Sequence, residues 1–137
     1  MKNPKPILLI EDDKADVMTV KRALKECHAS NQLFVVGNGE DALSFLRDER
    51  NPRPGFILLD LNMPKMGGIE FLEIVKHDDA LKHIPVVVLT TSRQESERIE
   101  SFQLGVAGYV IKPMNYHQFI DMVRAITHYW SISEVGD

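Results

Sequence analysis

The sequence predicts an α/β protein, a doubly wound parallel sheet of five strands with helices on both faces. Three observations lead there. Short apolar runs recur along the 137 residues, at Ile7 to Ile10, Leu33 to Val36, Phe56 to Leu59, Val86 to Leu89 and Tyr109 to Ile111, and an unbroken run suits a strand covered on both faces. Helical periodicity fills the stretches between them, so strands and helices alternate. Two of the runs end directly in acids, Glu11-Asp12-Asp13 and Asp60, and open parallel sheets gather their ligands at the carboxyl ends of their strands.

The elements follow in order. After the first run, Asp13 reads as a helix-start residue favoured by the helix dipole rather than as a ligand, and Val17, Val20, Leu24 and Cys27 keep a helical period. Asn38-Gly39 precedes a second helix carrying Ala42, Leu43 and Leu46, and Asn51-Pro52-Arg53-Pro54-Gly55 is a loop. Beyond Asp60, Gly67-Gly68 reads as the turn that opens a third helix, because neither a P-loop nor a dinucleotide fingerprint surrounds it. Thr90-Thr91 follow the fourth run; Ser92 is placed to cap a helix from Arg93, and Gly105 to stop it. Lys112-Pro113 follow the fifth, and Asn115 is placed to cap a last helix running to the vicinity of Trp130. That helix sets Phe119, Val123, Ile126 and Trp130 on one stripe and leaves Tyr116, Ile120, Met122 and Tyr129 outside it. The surplus fits a broad buried helix, or a homodimer face centred on this helix and its tail. Residues 1–137 are expected to form one domain with no effector domain after it.

Composition narrows the classes. A hydrophobic fraction of 44% and a charged fraction of 26% exclude disordered and fibrous chains. With 16 basic against 20 acidic residues, a net charge of −4 and no basic block, nucleic acid is not an expected partner. The single Cys27 cannot form an internal disulfide, the first residues lack the apolar stretch of a signal peptide, and no apolar run suffices to span a bilayer. A cytoplasmic location away from membranes is expected. His28, His77, His83, His117 and His128 show no metal-ligand spacing.

The chemistry gathers at the ends of the runs. If the first and third strands are neighbours, Glu11, Asp12 and Asp60 share a crevice. Crowded carboxylates repel, and a hard divalent cation with oxygen ligands relieves that repulsion, so Mg²⁺ is the expected cofactor. Thr90 offers a hydroxyl donor and Lys112 an ammonium to an incoming oxyanion. Phosphoryl transfer needs mainly positioning and charge neutralisation, and an Asp can accept the group, which makes Asp60 the candidate nucleophile. Each residue also has a plainer reading: Asp60 as a cap or ion-pair partner, Glu11-Asp12 as a solvated pair, Thr90 as a strand-end hydroxyl, Lys112 as a surface lysine.

Four segments, Leu9-Ile10-Glu11-Asp12, Leu59 to Gly68, Leu89-Thr90-Thr91-Ser92 and Gly108 to Pro113, resemble the receiver domain of bacterial two-component response regulators, in the right order and across essentially the whole chain. The resemblance implies the flavodoxin-like receiver fold with strand order 2-1-3-4-5. It makes Asp60 the phosphoacceptor, served by a sensor histidine kinase, with Glu11, Asp12, Asp60 and the Asn62 backbone carbonyl as the metal site. Thr90 becomes the switch hydroxyl, Lys112 the phosphate-binding cation and Tyr109 the aromatic switch partner. It also implies a cis peptide before Pro113. Transfer to Asp60 and its hydrolysis would be self-catalysed by a signalling switch that is not otherwise an enzyme, and output would pass to a downstream protein by contact. The Glu-Asp start and the aromatic C-terminal end resemble the single-domain regulators associated with phytochromes. Thr91 departs from the common receiver pattern, where a smaller residue is usual, and with Asn62 and Ser92 is expected to tune phosphoryl lifetime. Two rivals stand beside this reading. A dehalogenase-type aspartyl-phosphate phosphatase would want a second acid where Asn62 stands, and a flavodoxin-like flavin module would find Glu11-Asp12-Asp13 repelling its phosphate.

Overall fold

Each apolar run becomes a strand and each periodic stretch a helix. The computed structural model describes residues 5–132. In chain order the elements are β1 (Ile7–Ile10), α1 (Lys14–Glu26), β2 (Leu33–Val36), α2 (Gly39–Arg47), β3 (Phe56–Leu59), α3 (Gly68–Lys76), β4 (Val86–Thr90), α4 (Glu95–Gln103), β5 (Gly108–Ile111) and α5 (Tyr116–Ile132). All strand pairs are parallel and the order is β2-β1-β3-β4-β5, as the sequence predicts.

Alternation of side chains along the strands builds two cores. On one face Leu8, Ile10, Ile57, Leu59, Val86 and Val88 pack against Ala42 and Leu43 of α2 and Phe71, Leu72 and Val75 of α3. On the other, Ile7, Leu9, Phe56, Leu58, Val87 and Leu89 pack against Val20, Ala23 and Leu24 of α1 and Phe119, Ile120 and Val123 of α5. Because β1, β3 and β4 are buried on both sides, their carboxyl ends keep fixed positions relative to one another.

Several local expectations hold. Asn38 caps α2, its side chain accepting from the Asp41 amide at 2.8 Å. Asn115 Oδ1 accepts from the Gln118 amide at the start of α5, and Gly105, at φ +89°, ends α4 in a conformation that favours glycine. Three expectations are corrected. Ser92 is not the cap of α4: Gln94 holds that position without a side-chain cap, and the Ser92 hydroxyl instead donates to Glu97. Ile120 is not left over, since it is buried at 3% exposure, and Met122 packs against the same core. A helix wedged against both the sheet and α1 buries more than one stripe. Among the described residues every peptide bond is trans, Lys112–Pro113 included, the isomer an X–Pro amide prefers by about 0.5–1 kcal/mol. Of the remaining α5 surplus, Tyr116 and Tyr129 are exposed, and Tyr116 carries the Arg22 guanidinium 5.5 Å over its ring. The tail expected at a dimer face, residues 133–137, lies outside the described residues. No helix among the described residues is long and apolar enough to cross a membrane.

Candidate functional site

The register brings the acids together. Ile10 pairs with Leu59, and the ladder continues one step, with the Asp60 amide donating to the Ile10 carbonyl at 3.0 Å. Glu11 and Asp60 therefore leave neighbouring strands side by side, both buried, with Asp12 exposed beside them. One carboxylate oxygen from each of the three lies within 4.8 Å of the others. Oxygen-only donors at that spacing fit a hard divalent cation. None of the five histidines joins the cluster.

Burial dominates the electrostatics. The Glu11 carboxyl is pushed up to about 7, first by desolvation, with Lys112 pulling it down and Asp60 pushing it further up. Lys112, itself buried, places Nζ 2.5 Å from Glu11 Oε1, 2.7 Å from Asp16 Oδ2 and 3.6 Å from Asp60 Oδ2. Burial works against that ammonium, but hydrogen bonds to Asp16 and Glu11 outweigh it and hold the lysine above its ordinary value. The two directions are compatible, because burial outweighs the single ammonium at Glu11, whereas at Lys112 several carboxylates together outweigh burial.

Local structure fixes each group. Asp13 caps α1, its side chain accepting from the Ala15 and Asp16 amides at 2.8 and 3.3 Å, while its own amide donates to Glu11 Oε2 at 3.2 Å. That cap sets Asp16 in the first turn of α1, facing Lys112. The sequence reading missed Asp16, which lies 96 positions from its partner. Beyond β3 the Asn62 amide folds back to donate to Asp60 Oδ1 at 3.2 Å. Gly68 lets the start of α3 press on this turn, since a Cβ there would lie 2.6 Å from Leu61 Cα and 2.9 Å from the Asp60 carbonyl oxygen.

The remaining predicted residues form a second chain of contacts. Thr90 is fully buried at the end of β4, and its hydroxyl oxygen accepts from the Ser92 amide at 3.1 Å. The Tyr109 hydroxyl donates to the Ser92 carbonyl at 3.3 Å, with its ring centroid 6.5 Å from that of Phe102 on α4. Desolvation, with Glu97 adding to it, raises the Tyr109 phenol above its ordinary value. Lys112 joins the two groups through its amide, which donates to the Thr90 carbonyl at 2.8 Å. Thr91 is exposed.

A parallel sheet of this order, with acids, a threonine and a lysine converging at its carboxyl edge, has the construction of a response regulator receiver. The chain belongs to that family, the response regulator receiver domain, whose sequence pattern matches residues 7–124. Among curated proteins it is similar to Response regulator Rcp1 of Synechocystis sp. (strain PCC 6803), 44% identical over 131 residues that cover 93% of this chain and 89% of that protein. Chemotaxis protein CheY of Pseudomonas aeruginosa is 33% identical over 120 residues, 88% of this chain and 94% of that one. Two solved structures superpose closely. The Mn²⁺-bound form of Rcp1 has a TM-score of 0.91 at 41% identity, covering 98% of this chain and all of that one. The phosphorylated cyanobacterial phytochrome response regulator RcpA has a TM-score of 0.92 at 37% identity, covering 98% and 99%. The protein is thus a response regulator, a signalling switch, and the phosphatase and flavin-module readings are set aside.

Proposed function

We propose that this regulator takes a phosphoryl group on Asp60 from the phosphohistidine of a sensor histidine kinase. The observation that carries the reading is the buried Asp60 carboxylate at the junction of β1 and β3, with Lys112 Nζ 3.6 Å away. An Asp60 oxygen attacks phosphorus, the P–N bond breaks, and the histidine nitrogen leaves with the bonding electrons. Glu11, Asp12, Asp60 and the Asn62 backbone carbonyl would hold Mg²⁺, which when bound would supply positive charge to neutralise the incoming phosphoryl oxygens.

Lys112 turns to one phosphoryl oxygen and Thr90 donates its hydroxyl to another. Thr90 then gives up its present contact with the Ser92 amide, and Tyr109 moves into the vacated space. That rearrangement alters the face formed by α4, β5 and α5, which a downstream protein reads. Only contacts that differ between the two states can move such an equilibrium. Hydrolysis by water at phosphorus resets Asp60 without a separate enzyme, with Asn62, Thr91 and Ser92 at the crevice setting its rate.

Similarity to RcpA supports a phytochrome as the kinase. Residues 7–124, which match the receiver pattern, act as the receiver, in the cytoplasm. A homodimer through α5 is supported by exposed Tyr116 and Tyr129; light scattering at micromolar concentration should report twice the chain mass, and a monomer throughout would remove it. The acceptor is tested by intact mass after incubation with Mg²⁺ and a small acyl-phosphate donor. Wild type should gain one phosphoryl group and Asp60→Asn none. A gain by Asp60→Asn, or failure of wild type to gain it even from a partner kinase, overturns the assignment.

A further inference from the structure

Lys112 is not aimed at Asp60. Its two short contacts go to Glu11 Oε1 and Asp16 Oδ2, and Asp60 Oδ2 lies beyond hydrogen-bond reach at 3.6 Å. The two partners differ in environment. The Glu11 side chain is 2% exposed, whereas that of Asp16 is 27% exposed. When the ammonium moves toward an anion on Asp60, Asp16 is the partner that water can take over cheaply, and Glu11 is not.

We propose that Asp16 is a positioning residue that holds Lys112 back from Asp60 and so opposes occupancy of the phosphoryl site. The proposal rests on Asp60 being the phosphoacceptor. It follows from three linked placements: the Asp13 cap fixes the first turn of α1, that turn presents Asp16, and the Asp16 carboxylate holds Lys112 Nζ at 2.7 Å. Each molecule that gains an anion on Asp60 must break this contact or share it. Asp16 thereby sets how strongly the lysine favours the phosphorylated state, without itself touching the phosphoryl group.

The test uses the full chain at about neutral pH with saturating Mg²⁺ and beryllofluoride, an anion that mimics the phosphoryl group on a carboxylate, in titrations followed by tryptophan fluorescence or calorimetry. Asp16→Asn, which keeps the shape and loses the charge, should bind beryllofluoride about fivefold more tightly than wild type, the scale of a partly exposed ion pair. A gain in affinity is a readout that a merely structural defect does not produce. In a Lys112→Met background the same Asp16→Asn change should have no effect, because the residue that transmits it is gone. Unchanged or weaker binding by Asp16→Asn overturns the proposal. So does an equal gain in the Lys112→Met background, which would assign the effect to repulsion between Asp16 and the anion. Failure of wild type to bind beryllofluoride overturns instead the reading of Asp60 on which the proposal rests.

Discussion

Replacing Lys112 with methionine should make stability depend on pH in a range where the wild type is level. In the wild type, Glu11 has a folded value of about 7 against 4.5 for the ordinary group. The folded chain therefore binds this proton more tightly than the unfolded one. Stability linked to Glu11 is complete below about pH 4.5 and is lost as pH rises to about 7, at about 1.4 kcal/mol per pH unit, or about 3 kcal/mol in all. Above pH 7 the loss stops, because folded Glu11 is ionised and faces Lys112. Without that ammonium, burial and Asp60 act unopposed, the Glu11 carboxyl moves higher, and the loss continues. At about pH 6 the variant should lack about 1–2 kcal/mol, for the lost charged hydrogen bonds. By about pH 8.5 the gap should widen by about 2 kcal/mol to about 3–4 kcal/mol, within the range typical of a buried pair stripped of one partner. Lysine itself stays charged across this window, since its folded value lies above the ordinary one, and adds no slope. Urea unfolding of both proteins with divalent cations chelated measures the gap at the two pH values. A gap of the same size at both would refute the reasoning.

Three further outcomes are expected. Binding of a divalent cation needs Glu11 ionised, so affinity should fall about tenfold per pH unit below about pH 7, with a proton released on binding; calorimetry in buffers of different ionisation heat reads this, Glu11→Gln should remove the slope, and a flat wild-type profile would contradict the site. Gly68→Ala puts a Cβ 2.6 Å from Leu61 Cα, so the turn after Asp60 must shift; stability lowered by about 1–3 kcal/mol and slower phosphorylation are expected, and unchanged stability would show that the contact gives way freely. Thr90→Ala should still gain a phosphoryl group by mass yet leave the Tyr109 resonances where they are without phosphate; a wild-type shift of those resonances would sink the coupling through Thr90.

How far the sequence could be read depends on the range of the interaction that fixes each feature. The strands were legible because β1, β3 and β4 are covered on both faces, which leaves four apolar residues in a row in each. The strand-end acids were legible for the same reason, since polarity begins where cover stops. Ile120 was misplaced because a single stripe was assumed for a helix that packs against both the sheet and α1. Ser92 has the chemistry of a helix cap, but α4 begins only at Glu95, so the Ser92 oxygen accepts from the Gln94 amide in the turn before the helix while its proton goes to Glu97. Asp16 gave no signal at all, because an acid in the first turn of a helix is common and its partner arrives only when β5 closes the sheet.

Packing also determines which part of the molecule a phosphoryl group can move. Helix α3 buries Phe71, Leu72 and Val75, whereas α4 buries Ser101 alone. Displacing α3 would expose aromatic and aliphatic surface at about 1.5–3 kcal/mol per side chain. The start of α4 is held differently, by the run of polar contacts from Thr90 through Ser92 to Glu97 and Tyr109, each with a net contribution of about 0.5–1.5 kcal/mol. The contacts proposed from Thr90 and Lys112 to a phosphoryl group would be charge-assisted, about 1.5–3 kcal/mol each, enough to re-set this chain of hydrogen bonds while leaving the apolar core intact. The weakly anchored helix adjoins the buried threonine, and that adjacency, more than any single residue, suits the carboxyl edge of this sheet to signalling.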